Sequence, residues 1–178
     1  VAFAMMSRAA LGVACGAWSL LAPVSVALRI DVTRRLPAMS PRAAKAAFLD
    51  EIWRKATLPV PHVVIGLDSK RRVVVPPGLV EAIVAETPTS LTYTVENPSW
   101  ATLYPALRHR GDVVFERSAP GAAVLRWRVD VEPRAGDRLG AWWLENFTAL
   151  VVGRLADDLV RRCRRLSEIT AEDDGERS

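Results

Sequence analysis

The chain has 178 residues, 50% of them hydrophobic and 25% charged, enough for one domain with a sizeable core and too short for two of ordinary size. That balance excludes disorder over most of the length, and the collagen-like and disulfide-rich classes fall with it. A surplus of 24 basic over 20 acidic residues gives a net charge of +4 and a pI near 9.6, which permits an acidic partner without demanding one.

At the amino end no charge occurs from Ala9 to Leu28, between Arg8 and Arg29, a stretch long enough to cross a bilayer. Gly12, Gly16 and Pro23 interrupt it, and Ser25, Val26 and Ala27 form the small-x-small cleavage pattern of a secretory signal with Arg8 as its basic end. The end of the run already alternates as a strand does, with Val26, Leu28, Ile30 and Val32 set against Ala27, Arg29, Asp31 and Thr33. Residues 1–25 are read as an apolar extension: a signal, an anchor, or a start taken too far upstream. A cytoplasmic domain is the expectation, with export or membrane anchoring through residues 8–27, and hence membrane contact, as the alternative.

The domain proper spans residues 26–167. Its opening strand, Leu28 to Leu36, leads to a helix start in which Ser40 caps, Pro41 suits the first helical position, and Ala44, Ala47, Phe48 and Ile52 share one face. That helix is expected to end near Lys55. After Pro59 and Pro61 the hydrophobic period becomes alternating, predicting strands over Arg71 to Val75, Leu79 to Glu86, Leu91 to Glu96, Gly111 to Arg117 and Ala122 to Glu132, with a short one near Val63 to Leu67. Turn-rich breaks separate them, as in an antiparallel meander. From about Arg138 to Leu166, Leu144, Phe147, Val151, Leu155 and Leu159 recur at intervals of three and four, predicting a long amphipathic helix that covers one sheet face. Residues 168–178 read as an acidic disordered tail.

Arg161, Arg162, Arg164 and Arg165 form the densest basic cluster, but they follow Asp157 and Asp158. Pairs of Asp157 with Arg161 and Asp158 with Arg162 are expected, each worth roughly 0.3 to 0.5 kcal/mol. With no aromatic interleaving, this is a solvated helix face and no nucleic acid is expected as a partner. Cys15 and Cys163 stand far apart without metal-ligand spacing, so neither a disulfide nor a metal site is read, and no cofactor is expected.

Together these elements make an α+β domain in which a curved antiparallel sheet wraps a long C-terminal helix. The pattern resembles the START-like or SRPBCC superfamily with its helix-grip fold, and within it the bacterial polyketide cyclase/dehydrase-like members. The resemblance runs from Val26 to about Leu166. It rests on Leu28 to Leu36 followed by Ala38, Met39, Ser40, Pro41 and the helix, on Arg71 to Gly78 leading into Leu79, Val80 and Glu81, on Leu91 to Val95, and on Val124, Leu125, Arg126 and Trp127. The apolar amino end departs from the usual single-domain member.

Such a fold implies a deep apolar cavity between sheet and terminal helix, and a hydrophobic small molecule as ligand. Val73, Tyr93, Phe115, Leu125, Trp127, Trp143, Phe147 and Val151 are the candidate lining residues, each weighed against plain core packing. Tyr93 and Trp127 carry polar atoms that need a partner when buried, so either suits a bound hydroxyl or carbonyl. Trp100, Tyr104 and the pair Trp142 and Trp143 form either a gate or satellite packing.

No catalytic residue is assigned. His109, between Arg108 and Arg110, reads as a surface loop residue. Glu81 and Glu86 fall on opposite faces of one strand, and Glu81 is expected to pair with Arg71 or Arg72. No G-x-S-x-G, G-x-x-x-x-G-K or H-E-x-x-H occurs. Three functions stay open: a hydrophobic-ligand carrier, a cyclase/aromatase-type enzyme using the same cavity, and a membrane-anchored partner-binding domain. The ligand and the oligomeric state are not legible.

Overall fold

Alternating apolar residues fold into a seven-stranded antiparallel sheet in the computed structural model, which describes residues 27–54, 63–66, 70–75, 79–96 and 104–176. The extension at residues 1–25, His62 and Trp100 lie outside the described residues. The elements in order are β1 (Leu28–Leu36), α1 (Pro41–Phe48) continued by a π-helical turn (Leu49–Trp53), β2 (Val63–Gly66), β3 (Arg71–Val75), β4 (Leu79–Thr87), β5 (Ser90–Val95), β6 (Ala106–Ala119), β7 (Ala122–Pro133) and α2 (Arg138–Glu176). Spatially the strands run β1-β7-β6-β5-β4-β3-β2, so chain ends and middle lie at opposite edges. Register shifts in β4 between Ile83 and Ala85, and along β6 and β7, bend the sheet as bulges do.

Between bulges each strand covers its inner face with one parity; the β4 shift switches it, so Glu81 opposite Val95 and Glu86 opposite Leu91 share one face, not opposite faces as expected from their numbering. On β5 the inner residues are Leu91, Tyr93 and Val95, and on β7 Ala123, Leu125, Trp127, Val129 and Val131. Polar neighbours between them make cross-strand pairs outside, such as Arg128 with Asp31 at 2.9 Å and Arg126 with Glu116 at 2.8 Å. These pairs are exposed and contribute little.

Two helices close the inner face. The Ser40 hydroxyl accepts from Ala43 N at 3.3 Å and Pro41 opens α1, as expected of this cap. Ala44 and Phe48 are buried from α1, and Ile52 and Trp53 from the π turn, where Arg54 N reaches Leu49 O at 3.1 Å. Helix α2 starts where Gly136 takes a positive φ of 79° and Asp137 caps Gly140 N at 2.7 Å. It lies along β1 and β7 and touches β6 and the π turn. Its buried seam is Leu144, Thr148, Val152, Leu155, Ala156, Leu159 and Cys163, while Phe147 and Val151 flank it half-buried. Burial pushes the Cys163 thiol up to about 11, so it is a packing residue.

Three further expectations need correction. Strand β6 begins at Ala106, not Gly111. Helix α2 continues past Leu166 to Glu176, because no helix breaker occurs between Leu166 and Gly175. Asp157 pairs not with Arg161 but with Arg34 of β1 at 2.6 Å, Arg161 bonds Asp158 one turn back, and Arg162 faces Glu51 at 3.4 Å. Packing α2 on β1 brings Arg34, an inner-parity residue at the rim, within reach of the helix.

Phe48 meets Trp127 edge-on at 5.2 Å and Phe115 at 5.9 Å between ring centroids. Phe48→Ala is therefore expected to lower stability by about 3–5 kcal/mol in urea denaturation; a loss below about 1 kcal/mol contradicts this packing.

Candidate functional site

The inner face is not uniformly apolar. Register places Arg72 of β3 opposite Glu81 of β4, and their side chains, 8% and 12% exposed, meet at 2.5 Å. Of the two partners expected for Glu81, the buried one is chosen. The Arg72 guanidinium also donates through Nη1 to Ile52 O at 2.6 Å and Trp53 O at 2.9 Å, and lies 4.3 Å from the Trp53 ring centroid. A helix end leaves carbonyls without intrahelical donors, and a cation there satisfies them. Arg72 thus neutralises Glu81, ends the π turn and positions Trp53.

Trp53 in turn meets Tyr93 of β5 edge-on at 5.6 Å. The Tyr93 ring lies over Gly111 of β6, its cross-strand neighbour, where any Cβ would overlap it. Its oxygen accepts from Trp127 Nε1 at 3.1 Å, which leaves the hydroxyl proton free to be donated. Burial, reinforced by Glu81, holds the phenol well above its usual ionisation range.

Next to Tyr93 stands His109, with ring centroids 5.8 Å apart. Its Nδ1 hydrogen-bonds the Tyr104 hydroxyl, and Tyr104 meets Trp143 of α2 edge-on at 6.4 Å. The reading of His109 as a surface loop residue is overturned. It belongs to β6 with the same parity as Gly111, Val113 and Phe115, and burial pushes its pKa down to about 4 against a smaller opposing pull from Glu81. The imidazole is therefore neutral at pH 7. Tyr104 is likewise held above its usual range, first by burial and then by Glu81. His109 Nε2 and Trp53 Nε1, both buried, have no hydrogen-bond partner among the described residues.

The candidate lining residues divide. Tyr93 and Trp127 sit together in this polar group, while Phe115 and Leu125 lie toward Phe48 in closely packed core. Trp143 and Phe147 stack on α2 at 4.6 Å and 11°, and Val151 packs half-buried against the core. Val73 falls between Arg72 and Val74, both buried, so it stands on the other face. Of the aromatic group expected to gate or pack, Tyr104 and Trp143 meet whereas Trp142 is exposed. Trp53, Arg72 and His109 were not among the candidates. For His109 a signal exists: the alternation of Val113 and Phe115 extends back through Gly111 to it.

Among the described residues no helix is long and apolar enough to cross a membrane, and no group of three metal-ligating side chains comes together.

No protein-family model matches the chain, and no curated protein matches it. Solved structures do. A START superfamily protein from Mycobacterium smegmatis, 12% identical, superposes with a TM-score of 0.52 over 78% of this chain and 98% of that one. A protein from Thermobifida fusca, 15% identical, gives 0.52 over 75% and 93%. Ara h 8.0201, 9% identical, gives 0.51 over 76% and 99%. At these identities the likeness concerns fold, and the fold is the START-like helix grip, α+β, as the sequence pattern implies.

Two expectations follow. Arg72→Leu strands Glu81 and two carbonyls and should cost about 3–5 kcal/mol, more than Glu81→Gln, which keeps an acceptor for Arg72; equal losses in urea denaturation contradict the anchoring role. His109 has a folded pKa near 4 against an ordinary 6.5, so its contribution is present above pH 6.5 and lost as pH falls toward 4. Wild type should lose stability over that window more steeply than His109→Phe, by up to about 1.4 kcal/mol per pH unit; parallel curves contradict a buried neutral imidazole.

Proposed function

We propose that the chain binds a largely hydrophobic small molecule, of lipid, polyketide or isoprenoid-like character, between the inner sheet face and α2. The observation that carries this reading is the pair of buried nitrogens without a partner among the described residues, Trp53 Nε1 and His109 Nε2, beside the Arg72–Glu81 pair and two tyrosines on a face built mainly of apolar side chains. An unsatisfied buried donor costs about 1–3 kcal/mol, and a partly polar ligand relieves that cost while its apolar body contributes about 25 cal/mol per Å² buried. Tyr93, Trp127, Trp143, Phe147 and Val151 remain the proposed contacts beside this group, with Phe115 and Leu125 beneath them as the floor. The START superfamily and Ara h 8.0201 likenesses support the fold this reading needs.

A second reading, a cyclase/aromatase-type enzyme, is favoured by one observation. It requires ionisable groups on the inner face, and Arg72, Glu81 and His109 supply them. A neutral His109 with a pKa near 4 is a weak base but a serviceable hydrogen-bond donor, which suits holding a reactive chain more than abstracting its protons. The proposed location is cytoplasmic, with export or anchoring through residues 8–27 as the alternative.

Protein purified from its native host should release one amphipathic small molecule per chain into organic solvent, identified by mass spectrometry. The neutral dye phenylnaphthylamine should compete for the same place. Failure of both, with no extractable molecule and no saturable dye binding, overturns the ligand-holding reading.

A further inference from the structure

We propose that the polar end of this binding face is a receptor for an uncharged carbonyl oxygen, taken up by the Trp53 indole and His109 imidazole N–H groups beside the Tyr93 hydroxyl. The inference rests on the ligand-holding reading above and names the chemistry that the ligand must carry.

Donor and acceptor capacities lead there. An indole nitrogen only donates, so the partner of Trp53 Nε1 is an acceptor. His109 is neutral and its Nδ1 is bonded to the Tyr104 hydroxyl. The Tyr104 oxygen accepts from the Thr148 hydroxyl, and a phenol is a stronger donor than an imidazole N–H, so the Tyr104 proton is assigned to Nδ1 and the ring proton to Nε2. Nε2 then donates as well. Tyr93 adds a third donor, because its oxygen already accepts from Trp127. The Trp53 and His109 rings both lie against the Tyr93 ring, with centroids 5.6 and 5.8 Å away, which gathers the three donor-bearing rings into one group.

Charge narrows the class further. Arg72 is engaged by Glu81 and by two backbone carbonyls, so this cation is not left over for a carboxylate or phosphate. Glu81 favours the protonated forms of Tyr93, Tyr104 and His109 while Arg72 opposes it at Tyr93, so the ion pair offers no net positive charge to an anion. A ligand ammonium would find donors where it needs acceptors. What remains is an uncharged oxygen with two lone pairs and no proton of its own.

Three probes of one ring system test this by calorimetry: acetylnaphthalene, ethylnaphthalene and naphthoate. The ketone should bind roughly tenfold more tightly than the hydrocarbon or the carboxylate. Trp53→Phe keeps a ring over Arg72 but removes the N–H; it should weaken the ketone by roughly two- to tenfold more than it weakens ethylnaphthalene. His109→Leu should do the same, and the ketone carbonyl stretch, lowered in frequency on the wild type, should recover toward its free value in both variants. Equal affinities for ketone and hydrocarbon, as when water alone satisfies the two nitrogens, overturn the proposal, as does an equal loss for both probes in Trp53→Phe. Binding of ethylnaphthalene without preference for the ketone leaves the ligand-holding reading standing, whereas binding of none of the three removes it as well.

Discussion

Arg72 is the residue through which the interior of this protein is assembled. A guanidinium taken out of water is tolerated only where its donors are met, and here one carboxylate and two helix-end carbonyls meet them. Satisfying that charge dictates where the π turn stops and how close β3 and β4 lie to it. It also dictates where Trp53 rests, since the indole lies under the same guanidinium. The placement of Trp53 against Tyr93 follows, and with it the polar group on the inner face.

The interior has two ends of different character. At one, Phe48 meets Phe115 and Trp127 edge to face beside Leu125, a closed core from which Trp127 reaches the Tyr93 hydroxyl at the other end. At the other, Trp53, Tyr93, Tyr104 and His109 contribute nitrogens and oxygens under strands β3 to β6, while α2 lies chiefly along β1 and β7. Gly111 belongs to this second end for a steric reason: without a side chain it lets the Tyr93 ring approach the backbone of β6. The neutrality of His109 and the protonated state of both tyrosines share one cause, burial, and one local modulator, Glu81.

Much of the fold was legible. Strand β1 was read to the residue from its alternation and β3 from the turn-rich breaks on either side of a short β-branched run, and the Ser40-Pro41 helix start was read from local capping chemistry. The start of β6 was not, because Arg108, His109 and Arg110 look like a charged loop when taken as a cluster, although each alternate residue continues the inner face. The ion pairs of α2 were misread because spacing along a helix names only intrahelical partners, whereas Asp157 and Arg162 found theirs on β1 and the π turn. For the candidate site, Tyr93 and Trp127 were legible as aromatic residues with polar tips on covered positions. Val73 was not separable from Val74 in an unbroken apolar run.

By itself the sequence determined the order and type of most elements and the faces that β5 and β7 bury, since these depend on periodicity and local turn chemistry, and the resemblance to a known family implied the helix grip. Tertiary structure alone decided which polar groups meet inside. Arg72 chose Glu81 and the ends of a helix twenty residues earlier, and His109 became a buried neutral ring through contacts with Tyr93 and Tyr104. Such pairings depend on distances across the sheet and on which charges lose their water, quantities that no pattern along the chain encodes.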